Sequence, residues 1–200
     1  MKHKTLYKRM NAFAPKLLGE KTIGQVMYWV RQMLKPHGVK VCKFIDTTNS
    51  ALSSYTIGGF YDPSVESDEC DIEMFVVFNE CEKNDTFFFD AVGLELLINE
   101  LFTCLVHEKR HRYQFRKRGN AFGPQYRTNV HDAELKVDLE YYGDPDEIDA
   151  YAQEAVIEER LYKRPATITD RYRDLFLSYD PKVYHRFLKK KYKFDQKVSL

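Results

Sequence analysis

Two different periods of hydrophobic positions occur in the first half of the chain. A period of two, which predicts strands with one buried face, occurs in three segments: Val39–Asp46, Ser54–Tyr61 and Asp71–Asn79. A period near 3.6 precedes them and predicts two helices: Thr5–Leu18, broken near Pro15, and Thr22–Lys35. Thr22 and Gln25 have the spacing of a capping box at the start of the second helix, and the segment 36–38 ends it.

The second half of the chain is helical in its pattern. A core-facing stripe at spacings of three and four predicts a long helix from about Asp90 to Arg118: Leu94, Leu97, Ile98, Leu101 and Leu105. Asp144 and Pro145 open a helix that lasts to Tyr162, whereas the pattern of Val130–Tyr142 is ambiguous. Two shorter helices complete the chain: Thr169–Ser178 and Pro181–Lys191. This order predicts an α+β fold in one domain over residues 1–200.

Composition restricts the class of protein. The chain has 200 residues, of which 44% are hydrophobic and 30% are charged, and this balance favours a folded domain over a disordered one. The longest apolar runs fall far short of the roughly 20 residues that span a bilayer, so we expect no membrane partner. No signal peptide is visible, and the cysteines lack CxxC spacing: Cys42, Cys70, Cys81 and Cys104. These features predict structural thiols and a cytoplasmic location.

Charge is strongly segregated although the net charge is only +1. Residues 62–108 contain thirteen acidic residues and one lysine, whereas residues 1–16 contain five basic residues and residues 182–193 contain six, with no acid in either. Basic ends could bind nucleic acid, together with Arg112–Arg118. Because the acidic segment offsets them, we expect protein contacts or self-packing and no nucleic-acid partner.

The long helix carries the sequence His107-Glu108-Lys109-Arg110-His111, an HExxH motif. Side chains four apart on an α-helix share one face, so His107 and His111 can bind one Zn²⁺. Glu108 points slightly aside and would act as general base on a zinc-bound water. The alternative is a pair of surface histidines with Glu108 in an ordinary ion pair.

A catalytic zinc site needs a third protein ligand, and the helix after Asp144 can supply it. Glu147 is the first candidate and Glu154, seven residues later on the same face, is the reserve. The small residues Ala150 and Ala152 allow another helix to approach closely. Glu147 also stands where a capping box with Asp144 would place it, so the cap and ligand roles compete.

These residues resemble a gluzincin, a zincin-type metallopeptidase. The resemblance rests on His107-Glu108-x-x-His111 followed 36 residues later by Glu147-x-x-Ala150, and it covers residues 71–162. The wider pattern HExxHxxQ, a Tyr-rich segment and DPxExxAxA is similar to small metallopeptidase-like proteins of tailed bacteriophages. The resemblance implies a zincin-like fold, in which a small antiparallel or mixed sheet packs on the long active-site helix. It also implies a zinc metalloendopeptidase acting on protein or peptide, in the host cytoplasm or in the virion.

The sequence departs from the peptidase pattern at several positions. Lys109, Arg110 and Arg112 stand where peptidases usually have uncharged residues, so the back face of the helix must be wet or paired with acids. Tyr151 replaces the usual Asp or Asn, which leaves Asp149, Glu154 or a backbone carbonyl to orient a ligand histidine. A catalytically inactive zincin-like structural or binding protein, such as a virion component, is therefore the alternative function.

Other candidate residues have less specific roles. Gln114 lies on the metal-side face and would contact substrate, support the site or simply pack. The Asp71–Asn79 strand is expected to be the upper edge strand that pairs with an extended substrate. An oxyanion donor could come from any of six side chains: Tyr113, Tyr126, His131, Tyr141, Tyr142 and Tyr151.

Overall fold

The computed structural model describes residues 3–46, 55–65, 71–79 and 86–198. The helices in these ranges are α1 (His3–Asn11), α2 (Ala14–Leu17), α3 (Ile23–Leu34), α4 (Ala91–Lys117), α5 (Ala133–Gly143), α6 (Pro145–Tyr162), α7 (Thr167–Phe176) and α8 (Pro181–Asp195), with a 3₁₀ turn at Lys35–His37. The strands are β1 (Gly19–Thr22), β2 (Val39–Asp46), β3 (Tyr55–Tyr61), β4 (Ile72–Asn79) and β5 (Thr86–Phe89). This mixture of helices with two small sheets confirms the predicted α+β class.

The chain forms two compact units, Met1–Glu108 and Lys109–Leu200. Helix α4 is continuous through the boundary, with its first 18 residues in one unit and the rest in the other. Whether the whole chain behaves as the one domain expected from the sequence stays a prediction. None of the helices in the described ranges combines the length and apolar character that crossing a bilayer requires.

The first unit is built around a three-stranded mixed sheet in the order β2-β4-β3. Strand β2 pairs with β4 in parallel and β3 pairs with β4 antiparallel. The prediction that Asp71–Asn79 is an edge strand is therefore wrong, because β4 has a neighbour on each side. Its alternate residues are almost fully buried, which is what a central strand needs on its core face: Ile72, Met74, Val76 and Phe78.

The helices of this unit bury the apolar faces that their patterns predict. Thr22 and Gln25 form the predicted capping box, with both reciprocal bonds present. The apolar stripe of α4 is confirmed, since each of its five members is at most 4% exposed. The sequence does not predict the short antiparallel pair β1 and β5, because a glycine with three polar residues in β1 and three consecutive phenylalanines in β5 give no period-two signal.

The second unit is a helical cluster around aromatic side chains. Tyr172 stacks on Phe187 at a centroid distance of 4.1 Å, and its hydroxyl donates to the carbonyl of Tyr142 at 2.9 Å. Ala150 and Ala152 are fully buried, as expected of small residues at a helix contact. Helix α6 begins and ends as predicted, and the ambiguous Val130–Tyr142 segment contains helix α5. Asp132 caps α5 by accepting from the amide of Leu135 at 2.8 Å.

Candidate metal centre

Helix α4 presents His107 and His111 on one face because four residues advance an α-helix by slightly more than one turn. His107 is 6% exposed and the His111 side chain is 17% exposed, so neither is an ordinary surface histidine. Leu105 and Val106, just before the motif, are buried in the core. The motif therefore lies in a packed part of the helix.

Glu147 is held in the first turn of α6, where Asp144 caps the helix. The Asp144 carboxylate accepts from the amide of Asp146 at 2.9 Å, and the Asp144 amide donates to the carbonyl of Tyr141 at 3.2 Å. Both groups of Asp144 that a capping box would use are thus bonded to other partners. The Oε1 atom of Glu147 instead lies 3.3 Å from the Nε2 atom of His111.

The three predicted ligands come together. His107, His111 and Glu147 each offer one ligand atom, and these atoms all lie within 4.8 Å of one another. Two imidazole nitrogens and one carboxylate oxygen are the donor types of a catalytic zinc site, which keeps its fourth position open. Glu154, the reserve ligand, lies elsewhere on α6, in the wall of a cleft with Asp138 and Glu158. The donor set thus fits Zn²⁺.

Glu108 is buried beside strand β3. It is 5% exposed, and a Cβ atom added to Gly59 would lie 3.1 Å from its Cγ and 3.0 Å from the sulfur of Cys104. The glycine therefore allows the strand backbone to approach α4 closely at Glu108. Sequence reasoning missed Gly59, although paired glycines inside a predicted strand are a signal of close backbone approach.

Arg110, one of the charged residues at the motif, is paired with an acid, as one of the two expectations for these residues had it. Arg110 donates to the Oδ2 atom of Asp149 from both Nε, at 2.6 Å, and Nη2. Lys190 donates to the other oxygen at 2.7 Å. Burial alone would raise the pKa of the Asp149 carboxyl, but its bonds to Lys190 and Arg110 hold that pKa below its ordinary value. Asp149, considered above as an orienter of histidine, uses both oxygens for these cations.

The candidate tyrosines have different surroundings. The hydroxyls of Tyr141 and Tyr151 are 3.2 Å apart, and burial, then the neighbouring Tyr141, raises the pKa of Tyr151. Tyr126 donates to Asp180 at 3.2 Å, and Arg171 lies over the ring of Tyr142. Tyr113 and His131 are exposed. Of these candidate oxyanion donors, Tyr141 is half exposed, and its hydrogen-bond partner Tyr151 lies on α6, the helix that carries Glu147.

Comparison of the chain with protein-family models, with curated proteins and with solved structures gives no significant match. The assignment of a function therefore depends on the geometry of the residues described above.

Proposed function

We propose that this protein is a zinc-dependent metallopeptidase that hydrolyses peptide bonds in a protein or peptide substrate. The observation that carries the proposal is the convergence of His107, His111 and Glu147 within 4.8 Å. His107 and His111 are four residues apart on α4, and Glu147 lies on α6, 36 residues after His111. Helix periodicity brings the first two together, but the third reaches them through tertiary packing alone.

Each residue of the site has a distinct role in this proposal. His107, His111 and Glu147 bind Zn²⁺, which when present lowers the pKa of a water molecule and polarises the scissile carbonyl. Glu108 takes a proton from the attacking water and returns it to the leaving amine. Its burial restricts the carboxylate to few orientations, which favours proton transfer over a fixed path.

The proposal includes a zincin-like arrangement, in which a sheet strand lies beside the active-site helix. Strand β3, at an edge of the described sheet, has its Gly59 backbone against α4 at Glu108. In the proposal β3 is the edge strand that pairs with substrate, the role expected of Asp71–Asn79 from the sequence. An extended peptide added to the sheet beside Glu108 would pair with β3. The proposal keeps the cytoplasmic location expected from the sequence, where free thiols such as those of Cys42 and Cys104 are ordinary; Cys70 and Cys81 lie outside the described residues.

The test of this function is hydrolysis of an unfolded protein and of a mixed peptide library by wild type and Glu108→Gln. Wild type is expected to cleave both, and to lose activity with a zinc chelator. Glu108→Gln is expected to keep its zinc and to lose activity by about 10²–10⁴-fold, the usual contribution of a general base. A wild type that holds zinc without cleaving any substrate would favour the alternative, a catalytically inactive zincin-like structural or binding protein of the virion.

A further inference from the structure

One row of side chains on α4 contacts the first turn of α6. Arg110, Gln114 and Arg118 are spaced four residues apart and follow one another along a single face. Arg118 is the residue just after the end of α4, and its amide still donates to the carbonyl of Gln114 at 3.2 Å. Their partners are Asp146 and Asp149, the residues that stand on either side of Glu147 in the sequence. The proposed third ligand is therefore flanked by two residues that the ligand-bearing helix binds directly.

The first contact of the row is between Arg118 and Asp146. The guanidinium donates to both carboxylate oxygens, at 2.8 Å and 2.5 Å, which is the two-point geometry of a strong Arg–carboxylate pair. Gly123 lies close to the same carboxylate, because a Cβ atom there would come within 2.5 Å of Asp146 Oδ2. The Asp146 side chain has little room to adopt another orientation.

Gln114 is the middle contact and is 6% exposed. Its Nε2 group donates to the carbonyl of Asp146 at 3.0 Å and to the Oδ2 atom of Asp149 at 3.1 Å. One amide thus joins the backbone and a side chain of the same helical turn. Both acceptors lie next to Glu147 in α6. The two hydrogen bonds of the Gln114 amide therefore restrict movement of this part of α6 relative to α4.

The last contact joins Arg110 to a buried carboxylate. Asp149 is 5% exposed and receives Arg110 on one oxygen and Lys190 of α8 on the other. The guanidinium of Arg110 lies over the rings of Tyr113 and Phe194, at 4.8 and 4.9 Å from their centroids. These two cation–π contacts favour the guanidinium position that meets Asp149.

We infer that Arg110, Gln114 and Arg118, through Asp146 and Asp149, form a clamp that positions Glu147 against His111 and so sets the affinity of the metal centre. This inference rests on the proposed function, since it assigns positioning residues to the same site. It also explains why Arg110 stands where a peptidase helix usually has an uncharged residue. In this inference the positive charge of Arg110 binds Asp149 and so holds Glu147 at a fixed distance from His111.

The clamp acts on metal affinity because a preformed ligand set binds more tightly than one that must be assembled. The 3.3 Å separation of His111 Nε2 and Glu147 Oε1 shows that two ligands already meet. If the first turn of α6 were loose, each binding event would have to order it. Partners that support metal ligands typically contribute about 10–100-fold to affinity.

The experiment measures the zinc dissociation constant by competition with a chromophoric chelator, and the thermal midpoint of each metal-free variant. Arg110→Met keeps the side-chain volume and removes the donors, and we expect about tenfold weaker binding. Arg110→Lys restores one donor and should recover part of the loss. Arg118→Met, at the more exposed end of the row, should weaken binding several-fold and serves if Arg110→Met does not fold.

The matched control is Lys191→Met. Lys191 also joins α8 to α6, by donating to Glu159 at 2.6 Å, but Glu159 stands twelve residues after Glu147. It should lower the thermal midpoint and leave the zinc dissociation constant within about twofold of wild type. Unchanged zinc binding in the Arg110 and Arg118 variants, or equal weakening in Lys191→Met, would overturn the clamp. A wild type that binds no zinc would overturn the proposed metal centre itself.

Discussion

The Nε2 atom of His111 lies 3.3 Å from the Oε1 atom of Glu147, although 36 positions separate the two residues in the chain. The contact depends on α6 packing on the second half of α4, which the paired charges of Arg110 and Arg118 with Asp149 and Asp146 support. A carboxylate and an imidazole at this distance can share a proton or a metal ion. The nearby nitrogen of His107 favours the metal ion.

Glu147, and not Glu154, is expected to be the third ligand. Glu147→Gln replaces an anionic donor with a neutral amide of the same shape, so zinc affinity should fall by about tenfold or more. Glu154→Gln changes a residue in the wall of a different cleft and should leave zinc affinity as in wild type. Both are measured by chelator competition. If Glu154→Gln caused the larger loss, Glu154 would be the ligand.

The shared helix face of the two candidate ligands on α4 can be predicted from the sequence because their relation is local. The spacing of His107 and His111 fixes a shared helix face whatever the rest of the fold does. The N-terminus of α6 is equally local, since Asp144 and Pro145 define it. These features need no knowledge of which elements pack together, so hydrophobic period and capping residues are enough to find them.

The rest of the site depends on contacts between distant segments. Arg110 and Asp149 are 39 residues apart, and nothing in the spacing of the sequence shows that they meet. The same applies to the sheet, where β4 is central because β2 and β3 both pair with it. A strand's pattern shows its buried face but not its neighbours, so the edge assignment of Asp71–Asn79 was wrong.

Gly59→Ala is expected to disturb the Glu108 side chain. The added Cβ would lie 3.1 Å from Glu108 Cγ and 3.2 Å from the carbonyl oxygen of Glu73, and the backbone oxygen has little freedom to move. Overpacking of this kind typically costs about 1–3 kcal/mol. Peptide hydrolysis should fall more than zinc content does, because His107 and His111 keep their positions on α4.

The control for this variant is Gly24→Ala in α3, where the added Cβ would lie 3.8 Å from the Oγ1 atom of Thr22, an ordinary van der Waals distance. It should be neutral or slightly stabilising, since alanine favours the helix by about 0.5–1 kcal/mol over glycine. Denaturant unfolding and activity assays of both variants separate the effects. Full activity in Gly59→Ala would show that the close approach of β3 does not position Glu108.

Stability should depend on pH through Asp149. Its pKa is lowered in the folded protein, so its stabilising effect is complete above the unfolded-state pKa of about 4 and is lost as the pH falls through the folded value. Lys190→Met removes one partner and should reduce the free energy of unfolding at pH 7 by about 1–2 kcal/mol, a value discounted because Lys190 is partly exposed. The difference should shrink below about pH 4.

Urea unfolding at pH 7, 5 and 3 gives this comparison directly, with the neighbouring exposed Lys189→Met as control. Lys189→Met should match wild type at each pH. A Lys190→Met variant that behaved like Lys189→Met, or whose deficit grew toward acid, would contradict the role assigned to the Asp149 pair.

The basic C-terminal segment is expected to pack on the protein and not to bind nucleic acid. Val183 and Phe187 are buried, as predicted for an amphipathic helix, and Lys190 and Lys191 donate to Asp149 and Glu159 of α6. Anisotropy titration of a labelled single-stranded oligonucleotide at physiological salt should show no binding tighter than about 1 μM. Tighter binding would support a nucleic-acid-binding function through the exposed cations of α8.

The metal content of the wild-type protein tests the central claim most directly. Protein purified without chelator and without a metal-affinity tag is analysed by inductively coupled plasma mass spectrometry, beside His111→Ala as the matched ligand variant. With two histidines and one glutamate as ligands, wild type should contain about one zinc ion per chain and His111→Ala only the background level. Wild-type protein that is metal-free, and that takes up no added zinc with a dissociation constant of about 1 μM or below, would contradict the account.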